Sequence, residues 1–465
     1  MIGVRSASRR RVSLGNRDTY GLNALQRTNI KIHSDNINTL ADLYVQSLQM
    51  EELAPVAHQI GTAMVESYVE LMTQILVDVP IPAVRTKHQR MTFARMQKHL
   101  QSIGVDCSER FRFQSFAQLE RLVVGFRFPP GLIQLRGGYR ATREEIIMVS
   151  LTRLSFPLRW NDMLETFPGR KRWFLQACFS YFLDFLINNW GYLLLNNLAW
   201  WKPRLLASCE AIRLKLQKLN TVDWRLVLPP AGDPGGFEYC GFIDNTMIPF
   251  CRPGGPTEDG PGAPRLPDEV QEAWYSGWKH LHGCKWQTVV EASGMDVIVY
   301  GPDSVRHNDL FMLRYSKLER QWIDLFAGDE LKLKIFGDSA YGDGPVLGTG
   351  GGRGMASVRE AVEWSYKDLK GQWKYLDYRH VLQLRKQPIA KITFVCMLLR
   401  NAYVTMNGCQ STEYFVMIPP TFEEWLEQGP MNSIPVSSCF HSNFVHPEDD
   451  PDWESDDEEE GEEDA

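Results

Sequence analysis

Beyond about Gly235 the hydrophobic periodicity changes from helical to strand-like, and this change limits the fold more than any other feature of the 465-residue chain. FEYCGFI (237–243) is a short apolar run bounded by glycines and Asp244. WQTVVEA (286–292) and MDVIVYG (295–301) flank Ser293-Gly294, which is a hairpin signal. DLFMLRYSKLERQWIDLF (309–326) has helical spacing, and LKLKIFGD (331–338) alternates apolar residues with lysines as a half-buried strand does. A Gly-rich loop (342–354) leads into a helix from about Ala356, apolar at 358, 362, 366, 369, 373 and 376. The order strand, strand, strand, helix, strand, helix predicts an α/β arrangement rather than a bundle or a sandwich. Another apolar helix is expected over 389–406, and a Pro/Gly loop (253–268) interrupts the region after its first strand. The Gly-rich loop lacks both the dinucleotide fingerprint and a Walker lysine, so a nucleotide site is a weak reading.

The preceding part reads as helical. Thr142 and Glu145 fit a capping box ahead of IIMVSLTRL, Pro157 separates a second short helix, and Pro168-Gly169 turns the chain. Arg170, Lys171 and Arg172 then open a long third segment. Three helices with basic residues at the start of the last suit helix-turn-helix DNA binding, and a plain bundle with an exposed basic turn fits the same residues. The apolar stretch Trp173–Trp201 is broken by Gln176, Asp184 and four asparagines, so it predicts buried helix rather than a membrane span. Residues 36–80 have helical spacing, 81–140 are mixed, and 1–35 are polar with a basic cluster at Arg9-Arg10-Arg11. The expected organisation is a flexible basic N-terminus (1–35), an accessory region (36–140), a helix-turn-helix region (141–215), an α/β domain (216–420) and a C-terminal extension (421–465).

Charge is uneven. The net charge is −7, yet thirteen of the 57 acidic residues lie in 448–465, a stretch without Lys or Arg. The remainder is a mildly basic body able to approach a polyanion, and the tail can screen that approach. Nine cysteines without a CxxC pair argue against a zinc ribbon or a disulfide framework and fit a reducing compartment. The N-terminus is polar and basic, without the apolar core of a secretory signal.

Four acids stand where strands end or helices begin: Asp244, Asp309, Asp338 and Glu363. Carboxylates gathered at one sheet edge repel each other and lose hydration, and a divalent cation such as Mg²⁺ resolves that conflict. Two such ions can activate a nucleophile and stabilise a leaving oxygen in phosphodiester cleavage. Arg359, Glu363 and Lys370 share one face of the last helix, an arrangement suited to a phosphate backbone. Each acid taken alone is equally a turn or cap residue, and Arg359–Glu363 is equally an exposed i,i+4 pair.

GFIDNTMIPFCRP, YSGWKHLHGCKWQTVV, GMDVIVYGPDSVRHNDLFML, KIFGDSAYGD and VREAVEWSYKDLK, spanning 241–370, resemble the DDE-superfamily nuclease domain of PIF/Harbinger-type transposases. The helix 389–403, with Leu398 and Asn401, resembles the segment that closes that domain. The resemblance implies an RNase H-like fold and a metal-dependent DNA strand-transfer enzyme. Asp244, Asp309, Asp338 and Glu363 would be its catalytic residues and metal ligands, holding two Mg²⁺ ions for which Mn²⁺ can substitute. It also implies a preceding helix-turn-helix, DNA ends and target as partners, a Myb/SANT-like accessory protein, a homo-oligomer and a nuclear location without a membrane. Two positions depart from the family pattern: Asn245 follows the first acid where glycine is common, and Ala356 replaces a tyrosine.

Among the other polar residues, Arg170, Lys171, Arg172, Lys279, His280, Lys285, Arg359 and Lys370 are the expected DNA contacts. His282 and His307 are expected to support the acids, and Trp274, Trp278 and Trp286 are expected in the core. The expected function is transposon-end cleavage and transfer of the freed 3′-OH to target DNA. The alternative is a host-retained DNA-binding protein of the same fold that makes no strand transfer.

Overall fold

The structure, a computed structural model, describes residues 90–428 apart from 196, 220–236, 254–267, 330–331, 350–351, 380–381 and 385–386, together with Ala63. The chain divides into two compact units at Gln89/Arg90, and every element described here belongs to the second. The Arg9-Arg10-Arg11 cluster, nearly all of the expected helix at 36–80, and the acidic tail lie outside the described residues.

Helix α1 (Arg143–Ser155) begins at the expected capping box. Thr142 Oγ1 accepts from the Glu145 N–H at 3.2 Å, and Glu145 Oε2 accepts from the Thr142 N–H at 3.2 Å. These bonds satisfy two N–H groups that a helix start leaves without partners. From Glu145 to Ser155 every residue is buried, so α1 is a core helix without a solvent face. After a short turn of helix at Met163–Thr166, α2 (Arg172–Trp190) packs on α1 through Phe174, Cys178, Phe182 and Leu186. Helix α3 (Leu198–Leu219) follows. The expected capped helix, short second helix and long third one are present as α1, Met163–Thr166 and α2, but the apolar faces of this region join one cluster that also takes in sheet residues such as Ile243, Val289 and Ile335. The helical region shares the core of the sheet and is not separate from it.

The sheet contains β1 (Phe237–Phe250), β2 (Leu281–Val290), β3 (Asp296–Ser304), β4 (Lys332–Phe336) and β5 (Leu347–Gly348). Between β3 and β4 lie α4 (Asp309–Tyr315) and α5 (Leu318–Leu325), separated where Lys317 adopts a left-handed conformation. Helix α6 (Gly352–Gln372) and helix α7 (Ile389–Asn407) complete the layers. The strand order is β3-β2-β1-β4-β5: β1, β2 and β3 are antiparallel neighbours, while β4 and β5 run parallel to β1. A two-residue strand, Tyr275–Ser276, also pairs with the start of β2. The molecule is thus α/β, with a mixed sheet flanked by helices. The six apolar positions read from the last helix are all buried, including Trp373 and Leu376 just past its end.

Two contacts lock the β2–β3 hairpin. Gly294 has φ +91°, and a Cβ there would collide with Cys409 Sγ, so both the turn and the close approach require glycine. Asn401 of α7 donates to the Asp296 carbonyl at 2.8 Å and accepts from its N–H at 2.9 Å, closing the edge of β3. Helix α7 is long and apolar enough to cross a membrane, but most of its surface is buried in this core.

Candidate active site at the acidic strand ends

Parallel pairing brings two of the acids together. Phe242 of β1 is in register with Phe336 of β4, and two further residues along each strand stand Asp244 and Asp338. Asp338 caps the turn after β4 by accepting from the Ala340 N–H at 2.9 Å. Asp244 is largely buried, and its carboxyl is pushed up to about 6. Burial is the main cause; the Asn245 N–H and Arg359 oppose it, while Asp338 and then Asp309 reinforce it.

Strand alternation separates the other two acids. Successive side chains of β1 point to opposite faces. Asp244 faces α6, where Arg359 Nη1 lies 3.4 Å from its Oδ2 and the Tyr366 hydroxyl donates to its backbone carbonyl at 2.5 Å. The other Arg359 nitrogen, Nη2, meets Glu363 Oε1 at 2.7 Å, so one guanidinium spans the carboxylates of Asp244 and Glu363. Asn245 faces the other way, and its Nδ2 donates to Asp309 Oδ1 at 2.7 Å. Lys285 Nζ pairs with the same Asp309 oxygen at 2.9 Å and also donates to the His307 carbonyl at 2.7 Å. Asp309 and Glu363 therefore lie toward different faces, and the four acids do not close into one ring. Among the described residues no group of three His, Cys, Asp or Glu side chains stands in a metal-holding arrangement.

These donors fit one divalent cation better than two. Asp244 and Asp338 are adjacent carboxylates whose repulsion the Asn245 N–H and Arg359 partly offset, and Glu363 lies on the far side of that guanidinium. Asp309 already has an ammonium and an amide as partners. The Asn245 Oδ1 beside it is buried without a hydrogen-bond partner among the described residues.

The expected DNA contacts divide into two groups. Lys171, Arg172, Lys279 and His280 are exposed. Arg170 instead pairs with Glu145, beneath the Phe174 ring, and ties the start of α2 to that of α1. Lys370 donates to the Met247 carbonyl at 3.0 Å, Lys285 holds Asp309, and Arg359 holds Asp244 and Glu363. His307 lies in the loop before Asp309: its Nδ1 is 2.7 Å from Asp303 Oδ1, and its ring stacks on Phe311. His282 does not support the acids, because it pairs with Phe250, six residues along β1 from Asp244. At about 3.3 Å per residue that is roughly 20 Å.

Trp286 is fully buried and Trp274 packs against Phe250, but Trp278, expected in the core, is 90% exposed. It stands in a four-residue loop between paired strands, where nothing covers a side chain, and tryptophan composition alone cannot reveal that. The contacts of Asn245 with Asp309 and of Tyr366 with Asp244 have no signal in the sequence. Asn245 looked like a neutral departure beside an acid, and Tyr366 looked like one more apolar position of a helix. Compared with known proteins, the chain matches no family model, no curated protein and no solved structure.

Proposed function

We propose that the chain is a divalent-metal-dependent DNA nuclease and strand transferase of RNase H-like fold, a transposase of the PIF/Harbinger type. The observation that carries this reading is the adjacency of Asp244 and Asp338 on neighbouring parallel strands, with the Asp244 carboxyl pushed up to about 6 by burial and by the acids around it. The strand order supports it: three antiparallel strands with two more parallel to the first place the central acid of β1 beside the end of β4. Asp244 and Asp338 would hold Mg²⁺ or Mn²⁺, with Glu363 joining once Arg359 turns to a DNA phosphate. A bound divalent ion supplies Lewis-acid polarisation of the phosphodiester and a more acidic water.

Around it the chain's own groups position the reaction. Tyr366 and the Asn245 N–H fix the backbone and carboxylate of Asp244, and Lys285 holds the Asp309 side chain in place. Hydrolysis by water breaks the P–O3′ bond, leaving a 3′-OH and a 5′-phosphate; the 3′-OH then attacks a target phosphate and displaces the target's own 3′-oxygen, which leaves as a hydroxyl, so one phosphodiester bond is exchanged for another. The exposed Lys171 and Arg172 at the start of α2 would meet terminal DNA. A nuclear location, a homo-oligomer and a Myb/SANT-like partner belong to this reading.

One observation favours a second reading, a retained DNA-binding protein without strand transfer. Arg359 and Lys285 already neutralise Asp244, Glu363 and Asp309 without a metal. A supercoiled-plasmid assay separates the two. Under the nuclease reading the wild type nicks with Mg²⁺, whereas Asp244→Ala and Asp338→Asn do not. Equal nicking by all three refutes the site, and DNA binding without nicking or Mn²⁺ uptake supports the retained protein.

A further inference from the structure

Among the described residues Trp278 is the most exposed large apolar side chain, on a short loop that hydrogen bonds close. It sits in the loop 277–280, closed by pairing of Tyr275 with His282 and of Ser276 with Leu281. Within the loop the Lys279 N–H donates to Ser276 Oγ at 3.2 Å, and the Tyr275 hydroxyl lies 3.4 Å from His280 Nδ1. His280 adopts φ +51°, which completes the reversal and holds Trp278 outward. The tip borders a cleft of about 440 Å³ that reaches Val305 and Arg306 and also includes Glu272.

An uncovered indole offers a flat face on which a base can stack. Beside it stand the exposed cations Lys279 and Arg306 against one exposed acid, Glu272, with Val305 and Tyr275 lining the cleft, and this balance favours a polyanion with flat rings. Lys370 of α6 feels the charge of Asp377 and, more weakly, that of Lys279, so the tip lies within electrostatic reach of α6. The tip lies beyond the Phe250–His282 end of the sheet, roughly 20 Å along β1 from Asp244, or about six nucleotides of a duplex strand.

We propose that Trp278 stacks on an unpaired or displaced base of bound DNA, with Lys279 and Arg306 on the flanking phosphates. The inference rests on DNA as the substrate of the acidic site and adds where, and in what state, the DNA is gripped. A preformed tip gains from stacking without the ordering cost that a loose loop would incur.

The test uses the full chain in EDTA and fluorescence anisotropy with two labelled duplexes of about 20 bp, one matched and one with a central mismatch. The wild type binds the mismatched duplex more tightly. Trp278→Ala loses that preference, with affinity for the mismatched duplex falling about 5- to 150-fold. Trp278→Phe keeps most of it, while Lys279→Ala weakens both duplexes alike and flattens the salt dependence. Circular dichroism melts check that each variant folds. Retention of the mismatch preference by Trp278→Ala, or equal loss on both duplexes, overturns the proposal. Because no divalent ion is present, a chain without nuclease activity still passes, and an active nuclease that fails loses only the hairpin's role.

Discussion

Replacing Asp244 by asparagine removes a charge that the fold holds at a loss. The carboxyl's ordinary value is 3.8, and in the folded chain it is pushed up to about 6, mainly by burial and then by Asp338 and Asp309 against the pull of the Asn245 N–H and Arg359. The folded chain therefore holds this proton more tightly than the unfolded chain does. The associated stability is fully present below pH 3.8 and is lost as pH rises through about 6. At about 1.4 kcal/mol per pH unit, the loss at pH 7 is about 3 kcal/mol. An asparagine side chain in that position would keep the shape and one acceptor but turn an N–H toward Arg359, which returns part of that gain. Asp244→Asn is expected to be about 1–3 kcal/mol more stable than wild type at pH 7, with the difference closing near pH 4. Urea unfolding at both pH values measures it. A saturating divalent ion should close the gap: at a hundredfold excess over Kd it stabilises the wild type by about 2.7 kcal/mol and the variant far less. A variant less stable than wild type at pH 7 without metal, or a difference independent of pH, would refute the argument that Asp244 is a strained, buried charge.

Two further substitutions test the frame that holds the site. Asn401→Ala removes both bonds to the Asp296 backbone and leaves two buried polar groups unpaired, so it is expected to destabilise by about 2–4 kcal/mol in urea unfolding; a loss below about 1 kcal/mol counts against the clamp. Gly294→Ala meets Cys409 Sγ and a positive φ together and is expected to cost about 2–5 kcal/mol, part of which Cys409→Ala recovers by making room. If the double variant recovers nothing, backbone conformation alone sets the cost.

The local elements were legible where one rule decided them. The Thr142 capping box, the alternation of 331–338 and the helical spacing from 358 to 376 each depend on neighbours within a few residues, and each element formed where expected. Helix 309–326 formed as two pieces, because Lys317 takes a left-handed conformation that propensity does not signal. Strand β5 was hidden inside the Gly-rich loop, since two residues carry no periodicity.

The sequence by itself determined which acids the chain has to offer and on which kind of element each one sits. Periodicity and punctuation are local properties, and they survive without knowledge of the packing. Tertiary structure alone decided which acids meet. Parallel pairing of β1 with β4 set Asp338 beside Asp244, while the pleat of β1 sent Asp244 toward α6 and Asn245 toward Asp309. Pairing register and strand face depend on residues about a hundred positions apart, and a shift of one residue would exchange the two faces.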